Sequence, residues 1–345
     1  MGNLTITDIA NEAGVSKTTV SRVLNNASAV DPQTRKRVMD VIEKRHYSPS
    51  AVAKSLSRRE SSTIGVIVPE ISNPFFGEAL KGISEVIDRH NLTLLVCNTD
   101  EKELNDQKSL EMMMVNRVRG FIFTATKDYS TKEEQAYLRK MLKKIRSPLA
   151  LLDRRIDYLR VDGVFFDDYG TAYEATKRLI AAGHQRIAII NASDEKVLPR
   201  LRHQGYVQAL KDAGITPEER FHFDGGFNLE KSYQCARQMY EMVDGPTAVL
   251  TTNNVTSMGF LKALYEQPEG FPGRIACIGF DKFNLIDIMG IPFNYIERDA
   301  YTVGRTAMEL LINRIAFPNK AVEEIFIPSP FVTPTLSETL AIPHR

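Results

Sequence analysis

Residues 5–24 read TITDIANEAGVSKTTVSRVL. Thr5 followed by Asp8 has the layout of a capping box, with Asp in place of the better Glu. Ile6, Ile9, Ala10 and Ala13 then fall on one helical stripe. Gly14 stops that helix, because glycine enters the left-handed region without a Cβ penalty. Val15 and Ser16 make the turn, and Ser16 is placed to cap a second helix over about Lys17–Leu24. There Val20, Val23 and Leu24 point inward, while Lys17, Thr18, Ser21 and Arg22 share the opposite face. Asp31-Pro32 marks a third start, an acidic cap followed by proline at the first helical position, with Val38, Val41 and Ile42 as its buried stripe. Helix, glycine turn, then a helix with a polar and basic outer face is the helix-turn-helix pattern.

Charge follows the same division. Residues 1–60 carry ten Lys and Arg against six Asp and Glu, net +4, so a chain of +1 overall leaves −3 for the rest. A basic head on a mildly acidic body is a footprint of nucleic-acid binding. At 345 residues with 43% hydrophobic side chains, two or three domains with their own cores are expected. Ordinary hydrophobic and charged fractions exclude wholesale disorder and a fibrous repeat. No apolar run approaches the ~18–20 residues of a membrane span, and the N-terminus lacks a signal-peptide layout, so a cytoplasmic location is expected. Cys97, Cys235 and Cys277 form no CxxC pair, and neither a disulfide framework nor a zinc site is expected. No GxSxG, P-loop, HExxH or GxGxxG stands in a suitable context. His184 reads as structural, and no catalytic residue, cofactor or metal is expected.

Beyond the head, strands and helices alternate. IGVIV (64–68), LTLLVC (92–97), GFIFT (120–124) and PLALL (148–152) make one set of apolar runs. VDGVFF (161–166), RIAII (186–190), PTAVL (246–250) and IACIG (275–279) make a second. Continuous apolar strands separated by helices imply parallel sheets covered on both faces. Two sets predict two doubly wound lobes, with a ligand in the crevice outside the strand carboxyl ends. No strong self-similarity links the sets.

The head motif, with VDPQTRKRVMDVIEKRHYSPSAVAKSL, SSTIGVIVPEISNPFF, GHQRIAII and IACIGFD, closely resembles the lac repressor (LacI/GalR) family of bacterial regulators over essentially the whole chain. The resemblance implies an all-α helix-turn-helix head (1–46), a hinge helix or linker (47–61), and an α/β body (62–345) with two parallel-sheet lobes of periplasmic-binding-protein type. The chain would cross between lobes near 161, 290 and 322, giving an N-lobe of about 62–161 and 291–322 and a C-lobe of about 162–290 and 323–345. Lys17, Thr18 and Arg22 would read base edges in the major groove; Arg pairs bidentately with guanine, and Thr offers a hydroxyl or a methyl. Thr5, Ser16, Thr19, Ser21 and Asn25 match positions set against phosphates, which fix register without reading sequence. Ser48-Pro49 starts the hinge, with Val52, Ala53 and Leu56 as its apolar stripe. Some eight residues fall below the ~12–15 of an independently stable helix, so the hinge would order only when paired on DNA. There Ala53 and Leu56 would meet the minor groove, Leu56 as the wedge.

For the body, the resemblance implies that Asn73, Phe75 (or its neighbour Phe76), Asp153, Arg202, Asn253 and Asp281 hold a small effector, Phe75 by stacking on a sugar face. Three departures stand out: Ser50 and Asn254 where the family commonly has Asn and Asp, and Pro334 about where it has an arginine, which puts the final strand in doubt. Arg154, Arg155, Lys196, Arg200 and Lys282 flank the predicted site; either they are exposed rim charges and the effector is a plain sugar, or with Arg202 they favour a sugar-derived anion, a sugar acid or sugar phosphate. The expected protein is a repressor whose affinity for near-palindromic operator DNA is set by a sugar-like effector. Only ten residues, broken by Pro343, follow Thr335, too few for a tetramerising coiled coil, so a homodimer is expected. The other class, a solute-binding sensor without a gene-regulatory role, has this body but not the head.

Overall fold

A computed structural model of the chain describes residues 4–24, 30–47, 61–267 and 275–333. Two units meet between Ser62 and Thr63. The first holds α1 (Ile6–Ala13), α2 (Lys17–Leu24) and α3 (Pro32–Lys44). Its ends form as their residues dictate. Thr5 Oγ1 accepts from the Asp8 N–H at 3.4 Å, and the Asp8 carboxylate accepts from the Thr5 N–H at 2.8 Å. Gly14 closes α1 at φ +63°, in the left-handed region. Ser16 Oγ accepts from the Thr19 N–H at 3.1 Å, and Asp31 accepts from the Thr34 N–H at 3.0 Å. Ile9, Ala10, Ala13, Val20, Val23 and Val38 form the core, with Ile6, Leu24, Val41 and Ile42 half-buried around it.

The second unit opens with β1 (Thr63–Val68), α4 (Pro74–Arg89), β2 (Thr93–Asn98), α5 (Glu103–Val115), β3 (Gly120–Phe123), α6 (Lys132–Ile145), β4 (Leu149–Leu152) and β5 (Asp162–Phe165). Next come α7 (Asp168–Ala181), β6 (Ile187–Asn191), α8 (Val197–Asp212), β7 (His222–Asp224), α9 (Leu229–Glu241) and β8 (Ala248–Thr251). α10 (Asn254–Tyr265), β9 (Ala276–Phe280), α11 (Asn284–Met289), β10 (Asn294–Ile296), α12 (Ala300–Ala316), β11 (Glu324–Phe326) and β12 (Phe331–Val332) complete it. One sheet runs β11-β5-β4-β3-β1-β2 and the other β12-β10-β9-β8-β6-β7; all neighbours are parallel except β10 and β12. The two lobes thus wind in the same order although their sequences show no repeat. Both faces of each sheet are covered. On β1, Ile64, Val66 and Val68 enter one core cluster and Ile67 the other; on β6, Ala188 and Ile190 oppose Ile187 and Ile189. Burial on both faces is why these strands read as unbroken apolar runs.

All three lobe crossings fall later than 161, 290 and 322. β5 pairs with β4 inside the first sheet, so the first crossing follows Phe165. Asp162 is fixed there by Arg314 of α12, at 2.8 Å through each carboxylate oxygen. β10 belongs to the second sheet and β11 to the first, so the other crossings follow Ile296 and Phe326. The first crossing shifts because VDGVFF, read with the second set, pairs into the first sheet, and the other two because β10 and β11, of three residues each, carry no readable periodicity. The connections are hydrogen-bonded to one another, Ile327 N–H to the Phe165 carbonyl and Glu297 N–H to the Pro330 carbonyl, both at 2.9 Å. A final strand does form: β12 pairs antiparallel with β10, while Pro334 lies outside the described residues. Among the described residues no helix is long and apolar enough to cross a membrane.

Candidate functional site

On α2, Lys17, Thr18 and Arg22 are exposed together on the face opposite buried Val20 and Val23. Thr5 and Ser16 are exposed beside them, and Thr19 and Ser21 are half-buried. Ser16 Oγ and Thr19 Oγ1 lie 2.9 Å apart, so one hydroxyl orients the other at the start of α2. Asn25, Ser50, Ala53 and Leu56 lie outside the described residues.

In the body, the ends of the parallel strands converge on a buried charge network. Asp153 follows β4 and Asp281 follows β9, at φ +65° and +67°. Each donates its N–H across to the neighbouring strand, to Val164 and Ile296 respectively, at 2.9 Å. The two aspartates are therefore the same position in two like-wound lobes. A left-handed non-glycine residue costs on the order of 1–3 kcal/mol and persists where the surroundings enforce it. Between them stands Arg298, just beyond β10. Its Nε and Nη2 donate to the Asp281 carboxylate at 2.7 and 2.8 Å, and Nη1 donates to Asp153 at 3.1 Å. Phe75 and Phe166 cover its guanidinium, at 4.7 and 5.1 Å from the ring centres.

Arg202 is 1% exposed and lies beside this group. Its Nε donates to Asp168 at 2.8 Å and its Nη1 to the Thr252 carbonyl. Nη2 sits 2.7 Å from the same Asp168 oxygen as an ion pair, without hydrogen-bond alignment. Burial pushes the Asp168 carboxyl up, against the pull of Arg202 and Arg298. Burial also lowers the Arg202 guanidinium, offset by Asp168. For Arg298, Asp281 and Asp153 outweigh burial and hold its proton more tightly than usual.

Two adjoining cavities open here. One of about 240 Å³ is lined by Asn73, Phe75, Asp153, Arg202, Asn253 and Arg298, among others. The other, about 350 Å³, shares Asp153 and Phe227 and adds Phe166 and Asp168. All six body residues expected at the site thus stand around it or, for Asp281, directly behind Arg298. Two of them have structural duties as well. Asn73 Oδ1 caps α4 through the Phe75 N–H at 3.0 Å and accepts from Asn254 Nδ2 at 2.9 Å, across the lobes. Asn253 Oδ1 caps α10 through the Thr256 N–H at 2.7 Å. Arg298, Asp168 and Phe227 escaped the sequence reading. The available signal for Arg298 was its place two residues after the strand triplet NYI, a strand end like those before Asp153 and Asp281. For Asp168 it was the pair Asp167-Asp168, in which Asp167 caps α7 and Asp168 turns inward.

Ion pairs take up much of the expected surplus of cations. Arg154 donates to Glu101, with Nη1 at 3.1 Å. Burial raises the Glu101 carboxyl, but pairing with Arg154 outweighs it and holds the group below its usual value. Arg155 pairs with Glu324 at 3.3 Å, Lys196 stands 4.0 Å from Glu101, and Lys282 pairs with Asp287 at 2.7 Å. Arg200 donates to the Asp194 and Glu195 carbonyls. With Arg202 held by Asp168, the crevice presents no uncommitted guanidinium for an anion among the described residues.

Comparison with known proteins agrees with this architecture. The family model described as periplasmic binding proteins and sugar binding domain of LacI family matches residues 61–335. The model described as bacterial regulatory proteins, lacI family, matches residues 5–50. The HTH-type transcriptional repressor PurR of Photobacterium profundum is 31% identical over 315 residues, 91% of this chain and 93% of that protein. The ribose operon repressor of Escherichia coli (strain K12) is 31% identical over 314 residues, 91% of this chain and 94% of that protein. A crystal structure of the lac repressor dimer bound to operator and the anti-inducer ONPF has the same fold, with a TM-score of 0.82, 23% identity, and coverage of 96% of this chain and 98% of that one. The chain belongs to the lacI family of bacterial regulatory proteins, and is a DNA-binding transcription regulator rather than an enzyme.

Proposed function

We propose that this protein is a cytoplasmic homodimeric repressor of near-palindromic operator DNA, controlled by a neutral sugar held in the crevice. The observation that carries the ligand class is the network of Asp153, Asp168 and Asp281 with Arg202 and Arg298. Three carboxylates against two guanidiniums leave no positive excess for an anion. Asp153 commits Oδ1 to Arg298, and Oδ2 has no hydrogen bond among the described residues, an acceptor for a sugar hydroxyl. Phe75 and Phe227 supply apolar faces for ring C–H groups. Cavities of about 240 and 350 Å³ sit at the small end of ~300–1,000 Å³ ligand pockets and suit a monosaccharide. The sugar-binding family description and the ribose operon repressor among the relatives support the same class.

The test is a thermal-shift screen with matched pairs, each neutral sugar against its acid and its phosphate. A ligand at 100 times its dissociation constant stabilises the native state by ~2.7 kcal/mol. Stabilisation by a neutral sugar is expected; stabilisation by the anion alone overturns the neutral reading. Effector and operator then alter each other's affinity by one coupling energy, typically ~1–3 kcal/mol.

For the head, Arg22→Ala is expected to cost ~1–3 kcal/mol on an operator selected from random DNA and to relax preference at one base position. Equal losses on operator and random DNA would instead make Arg22 a phosphate contact. Leu56→Ala is expected to spare sugar binding and remove most discrimination between operator and random DNA, since a wedge must be large and apolar. Unchanged operator affinity would refute the minor-groove role, which rests on sequence resemblance.

A further inference from the structure

The C-lobe carries a second constellation, unconnected with the sugar network. Asp194 lies in the loop after β6, His203 on α8 and His222 at the start of β7. One ligand-type atom from each lies within 4.8 Å of the others. We infer that Asp194, His203 and His222 form a binding site for a divalent transition-metal ion, Zn2+ or a close relative.

Two imidazoles and one carboxylate are the donor set that borderline divalent ions take, with further positions left for water. His203 Nδ1 already meets Asp194 Oδ2 in a very short contact. His222 Nε2 and Asp194 Oδ1 stand 3.9 Å apart, and each is buried without a hydrogen-bond partner among the described residues. Orphaned donors and acceptors are costly inside a protein, and here the two face one another. Ligand atoms ~2.0–2.2 Å from a tetrahedral ion lie ~3.3–3.6 Å apart, so the gap closes once the stacked rings rotate to aim both nitrogens at the ion. The rings of His203 and His222 are stacked, their centres 3.9 Å apart. A divalent ion takes both rings as neutral donors and the carboxylate charged.

The surroundings fit the same reading. Side chains 18–33% exposed leave the site open to a small ion and still partly desolvated. Helix α8 and strand β7 fix the two histidines, and Arg200 holds the loop through the carbonyls of Asp194 and Glu195. Glu219 Oε1 stands 4.0 Å from His222 Nδ1, beyond hydrogen-bond distance and exposed, and would have to close in to serve as an outer-shell partner of a ligating imidazole. Positions 194, 203 and 222 follow no metal-ligand spacing, which is why the sequence offered no zinc signal. Ala192 and Ser193, next to Asp194, line the larger crevice cavity, so the ion would brace that wall.

The experiment uses the full chain without an affinity tag, stripped with chelator and titrated with Zn2+ alone by calorimetry, and with Co2+ alone by visible absorption. One equivalent per chain is expected. His203→Gln and His222→Gln should weaken binding by ~100-fold or more, beyond the ~10–100-fold effect of outer-shell changes expected for Glu219→Gln. Asp194→Asn is the near-isosteric check should a histidine variant fail to fold. No saturable binding, or binding unchanged in all three ligand variants as Cys97 or Cys235 coordination would give, overturns the inference.

Discussion

Arg298→Met should destabilise the body by about 3–5 kcal/mol, the range for breaking a buried ion pair from one side. The change leaves Asp281 without either arm of its fork and Asp153 without the guanidinium it accepts from, both nearly excluded from water. Methionine fills most of the volume against Phe75 and Phe166, so the loss reports charge rather than a cavity. For a domain of this size a drop of ~2–4 °C per kcal/mol predicts a fall in melting temperature of ~6–20 °C. Arg298→Lys should recover only a fraction, because one ammonium cannot span two carboxylates in planar, bidentate fashion. Adding Asp281→Asn to Arg298→Met should restore part of the loss, since it removes one of the two stranded charges and leaves Asp153. Calorimetric or urea unfolding of the three variants checks this. A loss below about 1 kcal/mol for Arg298→Met would mean that the aspartates find other partners.

The second large effect is steric. α4 and α12 cross with Gly82 and Gly304 at their closest approach. A Cβ on Gly304 would stand 2.0 Å from the Ala79 carbonyl oxygen, and one on Gly82 would stand 2.1 Å from that of Tyr301. Backbone, not a yielding side chain, is the obstacle, so the helices must part. Overpacking generally costs ~1–3 kcal/mol, and Gly304→Ala should reach the top of that range despite ~1 kcal/mol of improved helix propensity. Gly304→Leu should prevent the α4–α12 contact altogether. Gly77→Ala, on the same α4 with nothing within 4 Å of its Cβ, should stabilise by ~0.5–1 kcal/mol. Urea midpoints separate the two sites; equal effects at Gly77 and Gly304 would refute the close-approach account.

Signals for the fold were local and strong where helices begin and where strands are buried on both faces. Thr5, Ser16 and Asp31 cap through their side chains and Gly14 through its left-handed backbone, and all eight apolar runs became strands. Strands of two or three residues, β7 and β10 to β12, were illegible because periodicity needs length. That blindness moved the second and third crossings and hid Arg298, which only the later crossing places at a strand end. The first moved because VDGVFF reads with the second set but pairs into the first sheet. Asn73 and Asn253 show a different limit. An Asn before a helix serves its first turn regardless of any ligand, so a residue of the right type in the right loop does not reveal how its atoms are committed. Arg202 stands at the crevice, but its pairing was not legible because its counterion, Asp168, lies 34 residues away in sequence.

The three laced crossings decide how the two lobes can move. Lobes tied by one strand could twist, bend and slide independently. With Ile327 bonded to Phe165 and Glu297 to Pro330, shear between the connections would break backbone hydrogen bonds, so the soft motion left is a swing about a single axle. Arg298 sits two residues beyond Ile296, beside that axle, with one arm on Asp153 and two on Asp281. A sugar hydroxyl bound as proposed would compete for part of its grip, and any shift would begin with the groups there. At the far ends of lobes turning on the same axle, leverage makes that shift a displacement several times larger.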